Sequence, residues 1–201
     1  MWNGVLERLL NGKVLERLIC THAHPDHIGL VGWFTEHYGT KLIMTREEWS
    51  FGRLFCTGAI LNKQLYRDFY TRAGCQDSDL ECYYSHMTTA DQLFYNVPQQ
   101  FDRIRNGSII TIAGSSWDVI TGLGHSHELA CLYNGELNVL IAGDQVLPKI
   151  TPTIMVHAYE PEANPLLDFF ESNERLRSLP ASATVLPSHG MPFKGLHERL
   201  D

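Results

Sequence analysis

Cysteine is scarce and unpatterned in this chain. There are five (Cys20, Cys56, Cys75, Cys82, Cys131), an odd number, and no two form a Cys-x-x-Cys pair. That spacing argues against a structural disulfide and for a reducing, cytoplasmic compartment. Positive charge is also in short supply, with 16 Lys and Arg against 23 Asp and Glu and a net charge of −7. No basic run appears, so nucleic acid or an anionic membrane surface is a poor partner. No apolar run could span a bilayer, and the Met1-Trp2-Asn3 start lacks the basic n-region and long apolar core of a signal peptide. There is no Gly-x-Ser-x-Gly elbow to present a serine nucleophile. Any hydrolytic chemistry must find its nucleophile elsewhere.

Histidine, by contrast, is concentrated. Residues 21 to 29 read Thr-His-Ala-His-Pro-Asp-His-Ile-Gly, directly after the apolar run Leu18-Ile19-Cys20. In extended backbone, residues two apart share a side, so His22, His24 and Asp26 are expected to converge. His27 follows where the chain should turn into a helix and approaches from another direction. Neutral imidazole and carboxylate are the ligands that zinc takes in catalytic sites. Three histidines on a buried loop would otherwise need a partner for every ring nitrogen.

The block resembles the His-x-His-x-Asp-His motif of the metallo-β-lactamase superfamily, and the resemblance extends from about Val14 to Gly190. It implies further ligands at the ends of later apolar runs. Gly122-Leu123-Gly124-His125-Ser126-His127 supplies His125, with Leu129 where the family often has a second histidine. His127 is then an extra histidine, an ordinary loop residue or, as the alternative, one that supports a ligand or lines the rim of the site. Val139-Leu140-Ile141-Ala142-Gly143-Asp144 supplies Asp144, and Thr184-Val185-Leu186-Pro187-Ser188-His189 supplies His189. By carry-over, His22, His24 and His125 would hold one metal and Asp26, His27 and His189 a second, with Asp144 bridging them. Two zinc ions are the expected cofactors, with iron or manganese as alternatives.

Such a ligand set implies metal-assisted hydrolysis, in which a water activated between the metals attacks a carbonyl carbon. Asp26 would both ligate and handle the proton of that water. A small-molecule acyl substrate with an ester-type bond, thioester or lactone, is expected, as in glyoxalase II-like members. β-Lactam hydrolysis, an iron-binding redox role and a non-catalytic metal-binding scaffold are the alternatives.

The order of elements fits one α/β domain over residues 1–201, and the resemblance implies a four-layer αββα sandwich. Trp2 to Leu10 has helical spacing and stops at Asn11-Gly12. Val-Leu-Glu-Arg-Leu occurs at 5–9 and again at 14–18, the first copy expected as helix and the second as the strand feeding the histidines. A helix over Ile28 to Tyr38 and a strand over Thr40 to Met44 come next. Thr45 and Glu48 then read as a capping box. Trp49, Phe51, Phe55, Leu61, Leu65, Tyr66, Phe69 and Tyr70 recur at helical intervals, so a helical, lid-like segment is expected at about 46–100, its aromatics chiefly packing onto the sheet. Strands are expected at 108–112, 117–121, 129–133, 138–142 and 184–186, with Asn134-Gly135 as a hairpin turn. Pro165 to Leu179 reads as a helix capped by Asn164. Relatives usually begin with several strands and an Asp-x-Gly turn and continue past the last histidine. The chain is therefore expected to be truncated at both ends, lacking the usual N-terminal strands.

Overall fold

The computed structural model describes residues 2–58, 62–87 and 94–201. Its first half contains α1 (Trp2–Leu10), β1 (Arg17–Ile19), α2 (Pro25–Ile28), α3 (Val31–Tyr38), β2 (Lys41–Met44), α4 (Arg46–Cys56), α5 (Lys63–Arg72), α6 (Asp77–Met87) and β3 (Asp102–Arg103). The second half contains β4 (Ile109–Ile112), β5 (Ser115–Gly122), β6 (Leu129–Asn134), β7 (Val139–Gly143), α7 (Pro165–Arg177), β8 (Thr184–Pro187) and α8 (Leu196–Leu200). β1, β2 and β3 form a parallel sheet in that order. β4 to β8 form a second sheet in sequential order, antiparallel until β8 joins β7 in parallel.

Alternation along the strands builds the layers, because successive side chains point to opposite faces. In β6, Ala130 and Leu132 join Ile43, Ile104, Trp117 and Val119 between the two sheets. Leu129, Cys131 and Tyr133 of the same strand face the other way, into a core with Leu176 of α7 and Leu196 of α8. β6 is buried along its whole length because it is covered on both faces. In β2, Ile43 faces the inter-sheet core, while Leu42 and Met44 pack with Ile28 and Val31 under the first-half helices. The result is helices, sheet, sheet, helices, the four-layer αββα arrangement. Cutting Leu132 back to alanine in the central layer would cost roughly 2–5 kcal/mol.

Local signals explain several boundaries. The Asn164 side chain accepts from the Leu167 N–H, and Pro165 occupies the first turn of α7, where its missing N–H costs nothing. α3 stops at Gly39, in the left-handed region with φ 63°. Among the described residues, no helix is long and apolar enough to cross a membrane.

Three expectations change. The second Val-Leu-Glu-Arg-Leu copy is strand only from Arg17, so Val14 to Glu16 serve as connection. Thr45 is the N-cap of α4, yet it makes no side-chain cap bond; its hydroxyl and the Glu48 carboxylate are both engaged elsewhere, as shown below. The β6–β7 hairpin turns over residues 135–138 rather than two residues, with Asn134 Oδ1 accepting from the Leu137 N–H at 2.7 Å. Within the stretch 46–100 three helices form, α4, α5 and α6; Leu61 of that stretch lies outside the described residues.

Candidate metal centre

β1 leads into the buried Cys20, and the chain then lays His22 and His24 along an extended segment. The Ala130 N–H of β6 donates to the Thr21 carbonyl at 2.9 Å, pinning this segment to the second sheet. Period-two alternation ends at His24, the N-cap of α2 with ψ 152°. Pro25 opens that short helix, so Asp26 arrives on a helical turn and not, as alternation suggested, on the same extended face. His27 sits one residue further on. The other contributors follow strands of the second sheet: His125 after β5, Asp144 after β7, His189 after β8.

All seven side chains predicted from the sequence meet at one place. The ligand atoms of His22, His24, His125 and Asp144 lie within 4.8 Å of one another, as do those of Asp26, His27 and His189. Asp144 joins the groups: its carboxylate is 3.4 Å from Nε2 of His125, 3.4 Å from Nε2 of His27 and 3.4 Å from Nε2 of His189. Asp26 Oδ2 lies 3.2 Å from His189 Nε2 and 3.5 Å from His27 Nε2. The first group is mostly buried; the second is open, with the His189 side chain 46% and the Asp26 side chain 56% exposed.

The electrostatics fit a cation. His125 Nδ1 is 2.8 Å from the Thr153 carbonyl, which can only accept, so this nitrogen carries the proton. In the neutral ring, Nε2 then turns an unshared pair toward Asp144 Oδ2. Two acceptors facing each other repel unless a positive centre lies between them. His27 Nε2, His125 Nε2 and Asp144 Oδ1 are all buried with no hydrogen-bond partner among the described residues, a costly arrangement for a protein alone. Burial, reinforced by neighbouring imidazoles, pushes His22 down to about 2 and His24 down to about 4, keeping both in the neutral form that a metal requires. The donor set of imidazoles and carboxylates therefore suits a borderline cation such as zinc or iron. Cys20 is no rival ligand: burial pushes its thiol up to about 12, and its Sγ–H donates to the His22 carbonyl at 3.2 Å.

Sequence reasoning missed the supports. Glu48 is completely buried. Its Oε2 accepts from the Ala23 N–H at 2.7 Å, inside the first histidine block. Its Oε1 accepts from the Ser126 hydroxyl at 2.5 Å and the Glu128 N–H at 2.7 Å, beside His125. The Thr45 hydroxyl donates to the Glu128 carbonyl at 2.8 Å. One carboxylate thus clamps the loops that carry His22, His24 and His125. The buried Gln145 does a related task after Asp144: its Nε2 donates to Asn173 Oδ1 at 2.8 Å, tying that turn to α7. The Ser188 N–H donates to the Gly143 carbonyl at 3.1 Å and brings the His189 turn alongside. Gly124 is required by its surroundings. Its φ is +87°, and a Cβ there would strike the Pro165 carbonyl oxygen and Phe169.

His127, read chiefly as an ordinary loop residue with a supporting or rim role as the alternative, lines a cleft. Its ring lies 4.2 Å from that of Phe51, and its Nε2 is 3.2 Å from the Tyr159 hydroxyl. Both belong to that cleft, of about 520 Å³, which His24 and His125 also line.

The sequence matches the model of the metallo-beta-lactamase superfamily over residues 3–189. The protein belongs to that superfamily. Its fold is similar to a beta-lactamase domain protein from Burkholderia ambifaria, at 36% identity and TM-score 0.85, over 99% of this chain and 57% of that one. A metallo-beta-lactamase family protein from Thermus thermophilus is similar at 29% identity and TM-score 0.78, over 98% and 64%. An uncharacterized protein of Aquifex aeolicus is 25% identical over 143 residues, 70% of this chain and 53% of that protein. This chain thus spans about half the length of that curated relative.

Proposed function

We propose that the protein is a metal-dependent hydrolase of an ester-type bond, thioester or lactone, acting through two metal ions held by His22, His24, His125, Asp26, His27, His189 and a shared Asp144. One observation carries this reading: buried polar atoms of His27, His125 and Asp144, without hydrogen-bond partners among the described residues, face one another where two ligand groups meet. Two bound cations would lower the pKa of a shared water to about 7 and would offer a Lewis-acidic face to a carbonyl oxygen.

The chain's own residues do the rest. His22, buried and neutral, and His125, oriented by Thr153, hold fixed lone pairs with little reorganisation. Asp26 is half-exposed beside His189 and takes the proton of the attacking water. The water oxygen bonds to the acyl carbon, the carbon–sulfur or carbon–oxygen bond breaks, and the proton passes to the leaving thiolate or alkoxide. Zinc is the metal we favour from the three-histidine group. TTHA1623, similar in fold at 21% identity and TM-score 0.65, has been solved in a di-iron-bound form, so iron is the specific alternative.

Metal analysis of the full gene product, joined to hydrolysis of a small thioester and lactone panel, tests the reading. We expect close to two metals per chain and turnover, with His125→Ala losing both metal and activity. Asp26→Ala should lose activity with at most partial metal loss. Unchanged metal content and turnover in both variants would refute the assignments, and iron with redox chemistry but no hydrolysis would favour the alternative.

A further inference from the structure

The cleft beside the metal centre has a lopsided chemistry. Its interior wall is apolar and aromatic, drawn from Phe51, Phe55 and Tyr66, and the exposed Met155 also lines it. Three carboxylates, Glu47, Glu160 and Asp168, line it at exposed positions. Among the described residues, no lysine or arginine lines it. The wall is already assembled. Phe51 packs on His127 at 4.2 Å, Tyr159 stacks on His157 at 4.9 Å with planes 7° apart, and the Tyr159 hydroxyl meets His127. A ring entering the cleft therefore meets surfaces that need little ordering. Burial lowers His157, so this imidazole adds no positive charge near neutral pH. Burial also raises Tyr159, so it remains an uncharged phenol.

An anionic substrate is poorly served by such a surface. Apart from the cations that His24 and His125 would hold, the lining offers an anion no lysine or arginine among the described residues. A carboxylate or phosphate on the substrate's flank would therefore give up water without gaining a partner there and would approach three like charges. We propose that this cleft receives the non-reacting flank of the substrate, an apolar aryl- or alkyl-bearing group that is neutral or cationic and carries no negative charge. The proposal rests on the hydrolase reading for the word substrate, but the selectivity belongs to the cleft itself. Aromatic stacking and apolar burial would supply affinity, and the rim carboxylates would supply discrimination.

The test separates the two claims. Binding of 3-phenylpropanamide and of its para-aminomethyl and para-carboxy derivatives to the metal-reconstituted protein is measured by titration calorimetry. The neutral and cationic amides should bind at least about fivefold more tightly than the carboxylate, the scale expected from partly screened rim charges. In the Glu160→Lys/Asp168→Lys double variant, both positions being exposed, the preference should shrink or invert. Equal or tighter binding of the carboxylate, no measurable binding of any amide, or an order unmoved by charge reversal would overturn the proposal. The S-methyl thioesters of the corresponding three acids are then assayed for turnover. Preserved binding order with no thioester hydrolysed would remove the thioester arm of the hydrolase reading and leave the cleft's selectivity standing. Turnover without the order would do the reverse.

Discussion

The two sheets divide the work unequally. The first is short, with strands of 3, 4 and 2 residues all in parallel register, yet the loop leaving β1 delivers four of the seven candidate ligands. The second holds an eight-residue β5 and a β6 buried along all six positions, and it delivers His125, Asp144 and His189 from three separate strand ends. A short parallel sheet is a weak platform for precise geometry. The histidine loop is instead held from outside, by Ala130 donating to Thr21 and by Glu48 grasping Ala23, Ser126 and Glu128. The rigid sheet sets the geometry, and the weaker one is fastened to it.

The harshest way to break this division is to remove the side chain where the two groups meet. Asp144→Ala should lower metal content from about two per chain to well below one, because both groups lose the same carboxylate. Elemental analysis after dialysis reads this directly. Retention of two metals would mean that the halves hold their ions independently and that Asp144 bridges nothing.

Glu48→Gln probes the fastening alone. The glutamine keeps the shape but turns an amide donor toward either the Ala23 N–H or the Ser126–Glu128 pair. Denaturant unfolding should show a loss of about 2–3 kcal/mol, and metal titration a weakening of roughly 10–100-fold. A variant that lost stability with unaltered metal affinity would reduce Glu48 to a core residue with no positioning role.

How much of this was legible beforehand follows from the range of each interaction. Candidate ligands at strand ends leave local traces, since each closes an apolar run, and Val139 to Asp144 or Thr184 to His189 could be read from a dozen residues. α7 was equally plain, its start written in Asn164 and Pro165. Glu48 left no such trace. Its spacing from Thr45 imitates a capping box, but its carboxylate bonds residues 25, 78 and 80 positions away, and only the fold decides that competition. Asp26 misled differently: Pro25 at the first position of α2 was a helix-start signal in plain view, outweighed by the alternation of His22 and His24. His127 could be recognised as part of the cleft only once Phe51 and Tyr159, 76 and 32 residues away, stood beside it.

Amide exchange sharpens the contrast without altering the sequence. In metal-free protein, amides of β1 and β2 should exchange faster than those of β6, because fewer buried contacts oppose local opening of the first sheet. Adding metal should raise protection in β1 and β2 by roughly tenfold or more while moving β6 less, as binding stabilises the closed arrangement by mass action. Equal gains in both sheets would show that the molecule opens as one unit.

The mildest probe lies at the outer edge. Arg17, at the exposed start of β1, donates from its guanidinium to the Thr111 carbonyl at 2.8 Å, a bond from the first sheet to the second. Being solvent-exposed, it competes with water at both ends, so Arg17→Ala should cost no more than about 0.5–1 kcal/mol in denaturant unfolding. The loss should appear chiefly as faster exchange in β1, with β5 to β7 unaffected, because Ala130, Glu48 and Thr45 still hold the histidine loop from the other side. A loss above about 2 kcal/mol, or exchange spreading into β6, would mean that the edge contact and not the buried clamp fastens the two sheets.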